Sequence, residues 1–172
     1  QAQLLSIPRD LWVQIPGHGD NPSSEGRINT GYTLGRRFEY PGGGPAFQMH
    51  VITNALGLEL DRYIVANFGA FEGMIDAIGG VDIYLESAIH DRRFPMGSEN
   101  TMVLDFPAGK VHMDGATALM YARTRYADSD FGRMRRQQKV LMSVHEKLTS
   151  PAAILRLPAL LMHGLGAVRT DL

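Results

Sequence analysis

One run of the sequence restricts the fold more than any other. Residues 62–68, with Tyr63, Ile64 and Val65, read as a strand. Phe71, Met74, Ile75 and Ile78 then fall on one helical face, which Gly79 and Gly80 end, and residues 81–85 read as a second strand. Strand, helix, strand in that order implies a parallel crossover, because parallel neighbours need a long, right-handed connection, and a sheet built that way is covered by helices. The expected class is α/β: a layered α-β-α domain with a central mixed sheet. The chain's 172 residues fit one domain able to close its own core.

Other segments extend this picture. Residues 4–7 are apolar and closed by Pro8, which suits a buried strand and puts Asp10 at a strand end. Residues 18–44 are rich in Gly, Pro, Asn and Ser, with Pro41-Gly42-Gly43-Gly44-Pro45 the plainest marker, and are expected to form a long loop. Phe47, Val51, Ile52, Ala55 and Leu56 have helical spacing, with Gly57 a left-handed cap. Residues 87–109 read as irregular. Asp114 is placed to cap a helix reaching Tyr121, and Asp130 to start another with Met134, Leu141, Val144 and Leu148 on its apolar face until Pro151. Residues 152–168 suggest short covering helices divided by Pro158.

Composition removes several classes of function. A formal net charge of -1 argues against a surface made to coat nucleic acid or an anionic membrane, so any anion site is local. The absence of cysteine removes disulfides, thiolate zinc sites and cysteine nucleophiles, and is compatible with an oxidising exterior. Histidines at 18, 50, 90, 112, 145 and 163 show no zinc-ligand spacing. No stretch approaches the roughly 20 apolar residues of a membrane span.

Against that neutral background, arginines concentrate at 123, 125, 133, 135 and 136. If Arg123 and Arg125 are extended, their period-two spacing aims both at one face. Arg133, Arg136 and Gln137 share one face of the first turns of the next helix. Unpaired N–H groups at a helix start favour phosphate, and guanidinium forks match its oxygens in pairs. The alternative is that these arginines pair with Asp128, Asp130 and Glu146 on a solvated face; the spacing leaves both open. Nucleic acid is the weaker anion, since no aromatic platform interleaves the cluster.

The turn Ser6-Ile7-Pro8-Arg9-Asp10 brings a carboxylate to where open α/β sheets place ligands. One carboxylate with waters and phosphate oxygens can hold magnesium; a turn aspartate bonding its own backbone is the plainer alternative. Arg27 lies in a polar loop, as an ordinary loop residue or as a cation over a bound anion.

Taken together, Ser6-Ile7-Pro8-Arg9-Asp10, Gly26-Arg27-Ile28-Asn29, Ile75-Asp76-Ala77-Ile78-Gly79-Gly80-Val81-Asp82 and Arg123-Thr124-Arg125 followed by Asp130-Phe131-Gly132-Arg133-Met134-Arg135-Arg136-Gln137 resemble the LytR-CpsA-Psr family in order and spacing. The resemblance implies a Mg2+-dependent phosphotransferase at the extracytoplasmic face of the bacterial membrane and cell wall. It would join a glycopolymer from a polyprenyl-pyrophosphate carrier to peptidoglycan. By position, Asp10 would be the metal ligand. Arg27, Arg123, Arg125, Arg133 and Gln137 would hold the pyrophosphate, with Arg9 assisting and Arg123, Arg125 and Arg133 as the catalytic set. Phe68, Phe71, Met74 and Ile75 are candidates for a lipid tunnel, and each is also a plausible core residue.

The family carries a further aspartate on a strand before the Pro-Arg-Asp segment, which this chain lacks. The expectation is therefore a single domain over residues 1–172, truncated at the N-terminus, where the first strand and membrane anchor are missing, and at the C-terminus. Such a fragment is expected to bind magnesium weakly. Two alternatives share its residues: a polyprenyl-pyrophosphate hydrolase, and a noncatalytic module for anionic polymer or nucleic acid.

Overall fold

The structure, a computed structural model, describes residues 3–96, 100–125, 130–150 and 168–170. The chain divides into two compact units, Gln1–Val65 with Arg169–Leu172, and Ala66–Val168.

In the first unit, β1 (Trp12–Ile15) pairs antiparallel with β2 (Ser24–Arg27), with Trp12 opposite Arg27 and Ile15 opposite Ser24. A 3-10 turn at Ile28–Thr30 leads to α1 (Gly31–Arg37), and α2 (Gly43–Leu56) follows. Ile15, Ile28, Phe47 and Val51 form the core, with Ile7, Leu11, Leu34 and Phe38 packed against it. The rings of Phe38 and Tyr40 lie 5.7 and 4.9 Å from that of Phe47. Gly57 ends α2 at φ 67°, the left-handed cap expected from sequence.

Two expectations for this unit are corrected. Residues 4–7 form no strand, and Leu4 and Leu5 are 44% and 73% exposed. Instead the Leu11 amide donates to the Pro8 carbonyl at 3.1 Å, and pairing starts only beyond that turn, at Trp12. Residues 18–44 are not one long loop, since they contain β2 and α1. Their glycines mark close packing as well as turns. A Cβ on Gly35 would lie 2.4 Å from Phe47 Cβ, and one on Gly44 2.5 Å from the Tyr32 carbonyl oxygen, so α1 and α2 approach only because both residues lack one.

Next come β3 (Ile64–Ala66), α3 (Phe68–Ala77), β4 (Val81–Leu85), β5 (Ile89–Met96), β6 (Asn100–Phe106), β7 (Gly109–Met113), α4 (Gly115–Arg123), α5 (Asp130–Thr149) and β8 (Val168–Thr170). Helices mixed with strands make the α/β class expected from sequence. The pairing differs from a simple crossover: β3 pairs with β8, β4 lies antiparallel to β7, and β5 antiparallel to β6. Residues 87–109, read as irregular, hold the β5–β6 hairpin, whose inward residues Asp91, Phe94, Leu104 and Phe106 are buried. Pro95 and a register shift between Asp91 and Phe94 break the simple period of two there and hide the strand from a pattern reading.

The second unit's core gathers Ile75 and Ile78 from the α3 region, Val81, Ile83 and Leu85 from β4, and Tyr121, Val140 and Val144 from the helices beyond. On α5 the expected apolar face is only partly right. Leu141 and Leu148 are 47% and 41% exposed, whereas Arg136, Val140, Ser143 and Val144 are buried. The polar members of that face bond to backbone: the Ser143 hydroxyl donates to the Asp82 carbonyl at 3.1 Å and Arg136 to the Thr124 carbonyl at 2.7 Å. The segment 152–168 lies outside the described residues, apart from Val168 in β8.

Asp114 caps α4 as expected, accepting from the Thr117 amide at 2.8 Å. Hydrogen bonding from Thr117 holds the Asp114 carboxyl below its ordinary value of 3.8. A depressed folded-state pKa stabilises above the unfolded pKa, and that contribution fades as pH falls through the folded value. Asp114→Ala is therefore expected to cost about 1 kcal/mol at neutral pH, the usual worth of such a cap. In denaturant melts its deficit against wild type should shrink as the pH falls below 3.8.

Candidate functional site

In the first unit, two of the residues singled out from sequence meet. The Ile28 amide donates to the Leu11 carbonyl at 2.8 Å, and Trp12 faces Arg27, so the hairpin carries Arg27 back to the Pro8–Leu11 turn. Arg27 Nη1 stands 3.5 Å from Asp10 Oδ1, with the two side chains 61% and 59% exposed. So open a pair contributes little to stability. Its chemical value is that both groups remain accessible to an incoming ligand, and the neighbouring Arg9 side chain is exposed as well.

Among the described residues no three His, Cys, Asp or Glu side chains gather to hold a metal. Asp10, half exposed and loosely paired, fits a different kind of binding: a hard cation held by one carboxylate, with waters and phosphate oxygens completing the shell.

In the second unit the arginine segment is built on the end of α4. Arg123 is the last helical residue, and Thr124 turns the chain out of the helix at φ -55°, ψ 137°. A helix end leaves its last carbonyls unpaired, and α5 supplies the missing donors. Gln137 Nε2 donates to the Ala122 carbonyl at 3.4 Å, and Arg136 Nη2 to the Thr124 carbonyl at 2.7 Å. The two stretches of the arginine motif are thus locked together. Arg136 is 4% exposed and acts as backbone scaffolding, a role its sequence position does not reveal.

The Arg123 guanidinium carbon lies 4.6 Å from the centroid of the Phe68 ring and 5.4 Å from that of Phe94. Aromatic faces attract a cation and hold it without consuming its N–H donors. Arg125 is exposed, its backbone amide donating to Asp91 Oδ2 at 3.3 Å. Arg133 is half-buried in the second turn of α5, and the Gln137 side chain is exposed. Of the apolar candidates, Phe68 is 59% exposed, Phe71 packs partly buried against the core, Met74 is half-buried, and Ile75 is 0% exposed within the core.

Sequence reasoning missed Asp91, Phe94 and Thr124. Their only signal was an inward-facing carboxylate on a strand, legible once the β5–β6 hairpin is known. A groove of about 570 Å3 along β4 and α5, lined by Asp82, Tyr84, Arg135, Lys139, Met142 and Glu146, contains none of the residues singled out for phosphate.

The chain as a whole is similar to known proteins. The sequence profile of the LytR_cpsA_psr family matches residues 1–172. The chain is 28% identical over 174 residues to the polyisoprenyl-teichoic acid–peptidoglycan teichoic acid transferase TagU of Enterococcus faecalis, covering 100% of this chain and 50% of that protein. Among solved structures, the crystal structure of B. subtilis TagV superposes with a TM-score of 0.72 at 28% identity, covering 96% of this chain and 58% of that one. TagT bound to LIIa-WTA superposes with a TM-score of 0.68 at 26% identity, covering 96% and 56%. The chain spans half or less of the length of the curated relatives it matches.

Proposed function

We propose, from the premise that this chain belongs to the LytR-CpsA-Psr family over its whole length, that it is part of a phosphotransferase. The enzyme would move a phosphoglycan from a polyprenyl-pyrophosphate carrier to a peptidoglycan hydroxyl, leaving a phosphodiester. The observation that carries the reading is the interlocked arginine segment, in which Gln137 and Arg136 of α5 bind the backbone on either side of Arg123. The relative TagU is named a teichoic acid transferase and TagT is seen bound to LIIa-WTA, which supports the same chemistry here.

Phosphoryl transfer asks a protein mainly to position the phosphates and stabilise charge on their oxygens. Arg123, Arg125, Arg133 and Gln137 of the second unit are the residues proposed for that role; in the first unit, Arg27 with Arg9 beside it is proposed as a phosphate contact from the family likeness. Guanidinium groups keep their charge at every relevant pH and meet phosphate oxygens two at a time. The arginines thereby orient the scissile diphosphate and draw electron density toward the leaving phosphate. Asp10 would hold magnesium, which when bound supplies further charge neutralisation on the phosphates. Phe68 offers an accessible apolar surface for the isoprenoid; Ile75 serves the core.

The site of action would be the extracytoplasmic face of the bacterial membrane, with the protein anchored there and peptidoglycan within reach. None of the helices among the described residues is long and apolar enough to cross a membrane.

The test is incubation of the natural protein with lipid-linked glycan, magnesium and peptidoglycan, following polymer covalently attached to the wall. Release of free sugar phosphate without attachment would make it a hydrolase. Metal-independent, steeply salt-dependent binding without turnover would make it an anion-binding module. Chelation is expected to stop transfer, and Asp10→Asn to raise the magnesium concentration needed for half-maximal rate by about tenfold, the scale of one lost charged ligand.

A further inference from the structure

The strand β5 departs from regular pairing at one place, and that place lies against the arginine segment. Asp91 pairs with Leu104 and Phe94 with Met102, so Arg92 and Arg93 stand opposite Val103 alone. In an unbroken strand, residues three apart face opposite sides. The extra residue turns both Asp91 and Phe94 inward, leaving them 0% and 3% exposed. Phe94 then lies near the Arg123 guanidinium. Asp91 Oδ2 accepts from the Thr124 hydroxyl and from the Arg125 amide, while Oδ1 accepts from the Arg93 amide at 3.0 Å.

A fully buried carboxylate is costly, and buried polar networks can often be replaced by apolar residues without loss of stability. A carboxyl group at this position therefore calls for a reason besides stability. Its bonds supply one, because they grip the two residues where the chain leaves α4 and where the backbone would otherwise be least constrained. Thr124 is 0% exposed and is held from the opposite side by Arg136 at its carbonyl. Arg123 precedes that residue as the last of α4, and Arg125 follows it with its amide on Asp91.

We propose that Asp91 is a positioning residue: through Thr124 and the Arg125 amide it sets how the guanidinium groups of Arg123 and Arg125 are aimed, and so tunes the site to a diphosphate in preference to a monophosphate. This rests on the pyrophosphate reading of the arginine segment. Asp91 itself touches no substrate.

The experiment measures dissociation constants of geranylgeranyl pyrophosphate and geranylgeranyl monophosphate for wild type, Asp91→Asn, Thr124→Val, Thr124→Ser and Arg125→Ala, with thermal melts alongside. In Asp91→Asn and Thr124→Val the preference for pyrophosphate over monophosphate is expected to fall by about tenfold, the worth of a charge-assisted hydrogen bond. Thr124→Ser keeps the hydroxyl and should restore it. Loss of melting temperature with the preference intact would assign Asp91 to stability alone and overturn the proposal. If Asp91→Asn does not fold, Thr124→Val, close to isosteric, decides in the same way. An unchanged preference in Asp91→Asn and Thr124→Val beside a collapsed one in Arg125→Ala sinks this inference and leaves the pyrophosphate reading standing. Wild-type affinity in Arg125→Ala, or none in wild type, removes the reading beneath it.

Discussion

Alanine at position 125 is expected to lower glycopolymer transfer by about 100-fold or more while leaving the melting temperature close to that of wild type. The two halves of this prediction have separate causes. Removing a donor aimed at charge that develops during phosphoryl transfer sacrifices stabilisation the reaction needs at its highest point. The fold, by contrast, uses the Arg125 backbone, since its amide bonds to Asp91 while its side chain is exposed. Alanine keeps that amide. Steady-state rates with a lipid-linked glycan, beside a melt of the same preparation, check both halves. Arg133→Ala should lose turnover to a similar extent, and wild-type turnover in either variant would remove the arginines from the reaction.

The second large effect falls on stability and separates two residues of one helix. Ile75→Ala is expected to cost about 2–5 kcal/mol in a denaturant melt, because a fully enclosed side chain leaves a cavity that its neighbours fill only in part. Ile75 is 0% exposed among Val81, Met113 and Tyr121 in the core. Phe68, 59% exposed on the same helix, should behave in the opposite way. Phe68→Leu is expected to barely shift the melt, yet to weaken pyrophosphate binding by about two- to fivefold through loss of the ring under Arg123. If Ile75→Ala left stability unchanged and weakened lipid binding, the residue would belong to a tunnel.

Much of the architecture was legible in residue order. Gly57, Gly79-Gly80 and Asp114 announce helix boundaries through backbone chemistry that is local, and α2, α3 and α4 stop or start where those residues stand. β4 spans Val81–Leu85 as read from its apolar run. Readings failed where a residue's meaning depends on a distant partner. Gly35 and Gly44 resemble turn glycines until α1 and α2 are seen to pack against each other. Asp91 and Phe94 look out of phase until a bulge brings them to one face.

For the site, the residue types and their spacing along the chain pointed to a local anion and left surface ion pairing open, because guanidinium chemistry is carried by the side chain itself; phosphate came from the family likeness. Tertiary structure decided the division of labour among similar residues: Arg123 rests on aromatic rings, Arg125 is exposed, and Arg136 is buried against the backbone of Thr124. The physical reason is that a charge's role follows from what surrounds it, and burial, stacking and hydrogen-bond partners exist only once separate segments have packed.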